Sequence, residues 1–500
     1  VKKNVVIALS FVLIASLFYF FRTTIDPDLW GHLQFGKDVY ETGNIPGLDT
    51  YSYSAYGVKS INHEWLAELI LYSVFANFTA FGLILLKFSI AFALSLLLYN
   101  EIKTGIQSKL LSVAVLLGVV SAVSYGFAVR TQIFTYLFFA IVLIALKRQE
   151  DGIKSNALLF SLPPIFALWC NLHGGFVAAL GIIAVYTIYK LASRGFDRIL
   201  VFVMLLSLLA TLANPYGMDL WKFLLRSMTQ TPLLFIDEWN RVNFSATFIS
   251  YFLLLAFSGI ILLKKRLTPF EYILIISGIY YSFTVNRHTV LFAVIFAIFL
   301  PKYIGAMFDE IFLRIEQRLS ENFFSISYVL CSVFFIWGTF FNVPSNPLKI
   351  LVPSKDYPVG AVEFLKINEI HGNIFPWFDW GLMCVGEMPG KSKVFFDGRF
   401  GIVYNDQFIK EYFEIINSEK DYKAHLSKFP ETDIFLLNKA NPLSILLSAD
   451  KEYAHVYSSE LASIFLKKNK HNEGVLKKFN EQRLIFPDLK EPFYFERMPR

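Results

Sequence analysis

The sequence predicts a polytopic α-helical membrane protein with a C-terminal α/β domain outside the membrane. Three observations lead there. The chain has 500 residues, 55% hydrophobic and 17% charged, with a mean hydropathy of +0.49, which is more apolar than soluble proteins of this length. Apolar windows of about 17–20 residues, enough to cross a bilayer as helix, recur up to Asn342. After Asn342 polar and apolar residues mix, and the strand-like runs KVFFD (393–397), DIFLL (433–437) and ASIFL (462–466) alternate with helical patterns.

The windows fall at 4–21, 80–99, 110–128, 132–147, 157–172, 175–190, 199–213, 247–263, 269–285, 288–305 and 324–342, about eleven spans in all. Lys2 and Lys3 precede the first, and Arg22-Thr23-Thr24 after it does not fit a cleavage site, so it reads as an uncleaved signal-anchor. SLPPIF (161–166) interrupts the fifth span with a proline pair. The domains are thus 1–342, with a first outer loop at 22–79, and 343–500, joined by the proline-marked linker NVPSNPLKILVP. The last thirty residues are charged and aperiodic and read as a loosely packed tail.

Cations set the orientation. One set of alternate loops holds sixteen: Lys2, Lys3, Lys103, Lys109, Lys147, Arg148, Lys154, Lys190, Arg194, Arg198, Lys264, Lys265, Arg266, Lys302, Arg314 and Arg318. The opposite set holds eight over longer loops: Arg22, Lys37, Lys59, Arg130, Lys222, Arg226, Arg241 and Arg287. The positive-inside rule places the first set, and the N-terminus, in the cytoplasm of a cell membrane. An odd number of spans then puts residues 343–500 outside. The net charge of +6 needs no nucleic-acid partner, because no dense basic run lies among aromatics. Three cysteines form no disulfide framework, and Cys170 and Cys331 read as core residues.

On this topology the unusual polar residues share the outer side. Asp26, Asp28, Trp30 and His32 follow the first span, and NHEW (62–65) with His63 and Glu64 closes the same loop. Arg130 and Gln132 lie in the turn after the third span, and NLHGG (171–175) with His173 after the fifth. NPYG (214–217) and DEW (237–239), with Glu238, follow the seventh, and NRH (286–288), with Arg287 and His288, the ninth. Each has a plainer reading: arginines snorkel to head groups, NPYG makes a turn, and Asp-Pro-Asp starts a helix. Together they need a purpose or a partner, since polar groups at membrane depth are costly.

In the first loop, a helix beginning near Asp28 puts His32 one turn on, on the same face. Leu29, Trp30, Leu33 and Val39 would rest on the apolar surface, giving a short interfacial helix. HEWLAELILYSVF (63–75) reads as a second one, and PGLDTYSYSAYG (46–57) between them as an aromatic belt.

This arrangement resembles the GT-C superfamily of membrane glycosyltransferases. DPDLWGHLQFG and HEWLAE look like a bacterial GT-C-like family over the full length, including DGR (397–399). WFDWG (377–381) is similar to the WWDYG motif of oligosaccharyltransferase catalytic subunits, matching at three of five positions. The resemblance implies a cell-envelope enzyme that moves a sugar from a polyprenyl-phosphate-type lipid donor to an acceptor glycan, lipid or protein. Asp28 would be the catalytic base, with Asp26 and His32 beside it. Arg130, Arg287, His173 and His288 would bind the donor phosphate, and His63, Glu64, Glu238, Trp377 and Asp379 the rest of the substrates. The second acidic motif of oligosaccharyltransferases is missing from the short turns after spans three and five, which leaves peptide acceptor and metal dependence open. Asp26 and Asp28 are candidates for a divalent cation. A transporter would instead show midplane charges and repeats, and a non-enzymatic assembly factor would not need the polar cluster.

Overall fold

The structure, a computed structural model, describes residues 2–21, 23–153, 155–195, 197–229, 241–242, 249–319, 321–340, 346–418 and 421–495. These form two compact units, the first drawn from 1–23, 84–224 and 231–348, the second from 24–83, 225–230 and 349–500.

The first unit is helical. Its centre is Thr289–Phe299, TVLFAVIFAIF, in which every residue but Leu291 is buried. A helix apolar all round needs cover on all sides, and Lys109–Ser124, Ile133–Glu150 and Pro269–Thr284 supply it. Lys2–Phe20 packs along Glu321–Phe340, Phe18 against Phe335 at 5.1 Å. The fifth window is broken at Ser161 into Asn156–Phe160 and Leu162–Trp169, where the proline pair starts the second piece. Trp65–Gly105 and Phe176–Ser193 are each long and apolar enough to cross a membrane, and Asn286–Phe299 with Pro301–Arg318 makes a third candidate bent by 60°. Shorter apolar helices lie in other expected windows, among them Arg198–Ala210 and Ile249–Lys264. Cys331, expected in the core, is exposed.

Several cations of the loops assigned to the cytoplasm have acidic partners within this unit. Lys147 Nζ lies 2.7 Å from Glu101, Lys190 Nζ 3.0 Å from Glu150 and Lys302 Nζ 2.7 Å from the buried Glu271.

The second unit joins the first loop to the C-terminal segment. Five strands form its sheet in the order β3-β2-β4-β6-β5: β2 Gly372–Pro376, β3 Ser392–Val394, β4 Ile434–Asn438, β5 Tyr453–Ser458 and β6 Ala462–Lys467. β2 runs parallel to β3 and β4, while β6 runs antiparallel to β4 and β5. β4, IFLL followed by Asn438, is buried through Leu437, as a central strand covered on both faces must be. A second pair joins β1 (Ile350–Val352) to β7 (Phe493–Phe495), antiparallel. The expected loose tail is therefore pinned: Phe495 is 4% exposed and packs on Trp30 and Phe75.

The loop is stitched to both edges by its backbone. Ile25 N–H donates to Leu351 O at 2.8 Å beside β1. Val394 N–H donates to Tyr51 O, and Tyr53 N–H to Val394 O, beside β3. Paired backbone groups of this kind stabilise a loop that would otherwise have to be solvated. Thr24–Leu83, grouped in the sequence with the spans, thus has its packing partners in Lys349–Arg500.

Candidate functional site

The first loop folds as two helices that pack on each other. Asp28–Thr42 begins where the sequence placed it, and the Asp26 carboxylate accepts the Asp28 N–H at 3.1 Å, satisfying one otherwise open amide of the first turn. Leu29, Trp30, Leu33 and Val39 are buried. Their cover is protein, which corrects the expectation that this face rests on lipid: the helix packs on Gly381–Glu387. Gly386 makes the contact close, since a β-carbon there would lie 2.9 Å from Trp30 Cβ. Trp30 Nε1 donates to Glu387 at 3.2 Å, and its ring meets Tyr357 at 5.0 Å.

The second helix starts at Trp65 and runs to Gly105, with a break at Thr79, whose φ is 56°. The break at Thr79 separates the expected first-loop helix from the apolar helix that follows it. Gly36 lets the two loop helices touch, because a β-carbon there would come 2.1 Å from Glu68 O. The aromatic-rich loop between them packs on protein as well: Tyr51 lies on Phe35 at 4.8 Å and hydrogen-bonds Asp38, and Tyr53 hydrogen-bonds Thr432 at 2.9 Å.

Within this unit one phenol feels the charge of both motifs. Burial raises the Tyr357 pKa, and the charges of Asp26, Asp379 and Asp28, with Asp356, raise it further, which keeps Tyr357 a neutral hydroxyl. Asp26 and Asp28 are half-buried and Asp379 is exposed. WFDWG is held by Trp377 N–H on Leu436 O at 2.7 Å and by the buried Trp380, whose Nε1 donates to Asp356 O at 2.9 Å. The Asp28 carboxylate also stands against Gly398 of DGR.

DGR itself forms a buried ionic network. Arg399 donates through Nε to Asp397 at 2.9 Å and through Nη2 at 2.6 Å, and through Nη1 to Asp49. Its guanidinium lies 5.5 Å from the Phe35 ring and 5.2 Å from the Tyr51 ring. Burial opposes its charge, but Asp397, Tyr404 and Asp49 hold it firmly protonated. The network fixes the turn that carries Gly398.

His32 faces Glu68, Nδ1 to Oε1 at 3.0 Å. Burial lowers the His32 pKa, but the Glu68 hydrogen bond and the charges of Glu64, Glu68 and Asp28 outweigh it and raise it to about 9. His63 Nε2 is 3.7 Å from Glu64.

The remaining expected residues lie in the first unit. Arg287 donates to Gln132 Oε1 at 3.0 Å, which brings NRH to the turn that carries Arg130. His173 Nδ1 accepts the Gly175 N–H at 2.9 Å and lies 2.9 Å from the Thr135 hydroxyl, which itself accepts from Trp169 Nε1 at 2.8 Å. That chain of hydrogen bonds orients the imidazole ring. His288 packs edge-on against Tyr281. NPYG makes a turn closed by the Asn214 side chain on Tyr216 N–H at 2.8 Å. Glu238 lies outside the described residues.

Sequence reasoning missed Glu68, Asp49 and Tyr357. Glu68 carried a signal, as it stands four residues after Glu64 on one helix face. Asp49 carried none, because Arg399 is 350 positions away, and neither did Tyr357, whose ring partner Trp30 lies on the first-loop helix.

No family model matches the chain, and no curated protein matches its sequence. Among solved structures it is similar to the Archaeoglobus fulgidus oligosaccharyltransferase in the apo form, with TM-score 0.58 and 12% identity over 86% of this chain and 69% of that one. ArnT from Cupriavidus metallidurans bound to undecaprenyl phosphate also matches, with TM-score 0.46 and 11% identity over 94% of this chain and 99% of that one.

Proposed function

We propose, from the fold it shares with that oligosaccharyltransferase, that the chain is a membrane glycosyltransferase of the GT-C type. It takes a sugar from a polyprenyl-phosphate-type lipid donor and passes it to an acceptor outside the cytoplasm.

The observation that carries this reading is the meeting of Asp28 with Gly398 and of Gly381, the last residue of WFDWG, with Asp397. Parts of DPD, WFDWG and DGR, which the resemblance marked separately, are thus neighbours in one unit. A fold alone does not specify chemistry; this convergence supports a specific site.

In the proposed reaction the Asp28 carboxylate takes the proton of an acceptor hydroxyl as its oxygen bonds to the anomeric carbon. The bond from that carbon to the phosphate oxygen breaks, and the polyprenyl phosphate leaves with both electrons. Arg130 and Arg287, which share a turn through Gln132, are assigned to the phosphate, because a guanidinium fork matches two phosphate oxygens. His173 and His288 are assigned to its rim. His32 stands one helical turn beyond Asp28 on the same helix and is assigned to support it. Asp26, which accepts the Asp28 N–H, is assigned as a supporting carboxylate, and Trp377, Asp379, His63 and Glu64 are assigned to the acceptor side.

Purified protein incubated with monoglycosyl polyprenyl phosphates and a mixed acceptor pool tests this by mass spectrometry of the lipid. Release of the unglycosylated polyprenyl phosphate is expected. Intact donor across hexose, pentose and amino-sugar lipids, with protein of native elution profile, would argue for a non-enzymatic role.

A further inference from the structure

We propose that His32, Glu64 and Glu68 form a binding site for one divalent transition-metal cation, separate from the Asp26–Asp28 pair. Among the described residues these three bring imidazole and carboxylate donor atoms within 4.8 Å of one another. Donors around a single such ion stand roughly 3–4 Å apart, given metal–ligand bonds of about 2.0–2.2 Å, so small side-chain shifts close the group around an ion.

Three features separate this group from an ordinary acidic patch. His32 and Glu68 are inside the protein, 8% and 3% exposed. One donor is an imidazole, which suits zinc better than magnesium or calcium. Two of the donors, His32 and Glu68, come from helices held close by the Gly36–Glu68 backbone contact, and Glu64 lies in the turn just before the second of them. Outer partners are also in place: Asn62 donates to Glu68 Oε2 and accepts the Glu64 N–H at 3.1 Å. Such outer contacts orient metal-binding carboxylates.

Electrostatics points the same way. Glu64 and Glu68 repel each other at this spacing, and binding through the imidazole replaces the His32–Glu68 hydrogen bond. A divalent cation between Glu64 and Glu68 removes that repulsion. The site lies one helical turn from Asp28, so an ion there would set the field at the carboxylate and fix the angle between the two loop helices. Metal binding stands or falls independently of the glycosyltransferase reading, because its readout is the ion itself.

The test uses full-length protein in detergent, stripped with a chelator, incubated with Mn²⁺ and desalted before metal analysis. About one Mn²⁺ per chain is expected, giving a protein-bound electron paramagnetic resonance signal, displaced by Zn²⁺ and not by equal Mg²⁺. Glu64→Gln and Glu68→Gln should each weaken binding by on the order of 100-fold or more. Glu64 is half-buried, so its variant keeps the test valid if Glu68→Gln does not fold. Asp26→Asn and Asp28→Asn should bind Mn²⁺ as wild type does. Absence of bound Mn²⁺ in the wild type overturns the proposal. So does equal binding in both glutamine variants, or loss of the ion in the aspartate variants instead.

Discussion

The Asp28 carboxylate stands against Gly398: a β-carbon at position 398 would lie 3.0 Å from Asp28 Oδ1 and 3.0 Å from Leu382 Cδ1. The glycine of DGR therefore sets how far that carboxylate can come toward the turn. Gly398→Ala forces the carboxylate or Leu382 to move by a few tenths of an ångström. Misplacing a catalytic group by about 1 Å costs up to about 100-fold, so the alanine variant should lose roughly tenfold in transfer rate while folding normally. Rate and melting temperature measured on one preparation decide it; an unchanged rate would detach Gly398 from the site.

Arg399 is the centre of the ionic network beneath that turn. Arg399→Met leaves Asp49 and Asp397 buried without their cation, and removal of one partner from a buried pair costs about 3–5 kcal/mol. Thermal unfolding should shift down by several degrees or more. A melting temperature equal to wild type would mean that the two aspartates find water or another partner.

How much of the molecule was legible in the sequence depended on the range of the interaction. The apolar windows showed themselves because a span is a local pattern of hydrophobicity, and Thr289–Phe299 is buried as its continuous apolar sequence suggests. The start of the Asp28–Thr42 helix was legible too, from Asp-Pro-Asp. What covers its apolar face was not, since periodicity shows which side is apolar and not whether lipid or the Gly381–Glu387 helix lies against it. β7 hid in a charged tail because its partner β1 lies at the other end of the C-terminal segment. Asp49, in a loop read as an aromatic belt, gains its role from Arg399, 350 positions away.

Arg130 and Arg287 give a prediction about charge shape. Arg287 hydrogen-bonds Gln132 while NRH and the Arg130 turn share one place in the first unit. Lysine keeps the charge and loses the paired N–H fork. Arg287→Lys and Arg130→Lys should each lower the transfer rate by about tenfold with unchanged membrane insertion. Full turnover in both variants would assign them to lipid head groups.

Topology is open to a direct check. From the excess of cations on one set of loops we propose that residues 343–500 lie outside the cytoplasm. A reporter joined after Arg500 that fluoresces only in the cytoplasm should be dark, and one active only outside should be bright. The reverse pattern would put the Asp28 unit on the cytoplasmic side and exclude an external acceptor.

The central claim is that Asp28 is the base. Asparagine at this position keeps the side-chain shape and the contact with Gly398 but cannot accept the proton, and loss of a general base typically costs about 10²- to 10⁴-fold. Asp26→Asn, which keeps an oxygen for the Asp28 N–H, should lose far less. The decisive measurement is the initial rate of sugar transfer from a radiolabelled lipid-linked donor by membranes carrying equal amounts of wild type, Asp28→Asn and Asp26→Asn. A fall of at least about 100-fold is expected for Asp28→Asn, with near-normal transfer by Asp26→Asn. Wild-type transfer by Asp28→Asn would rule out Asp28 as the base and leave that carboxylate as part of a helix start.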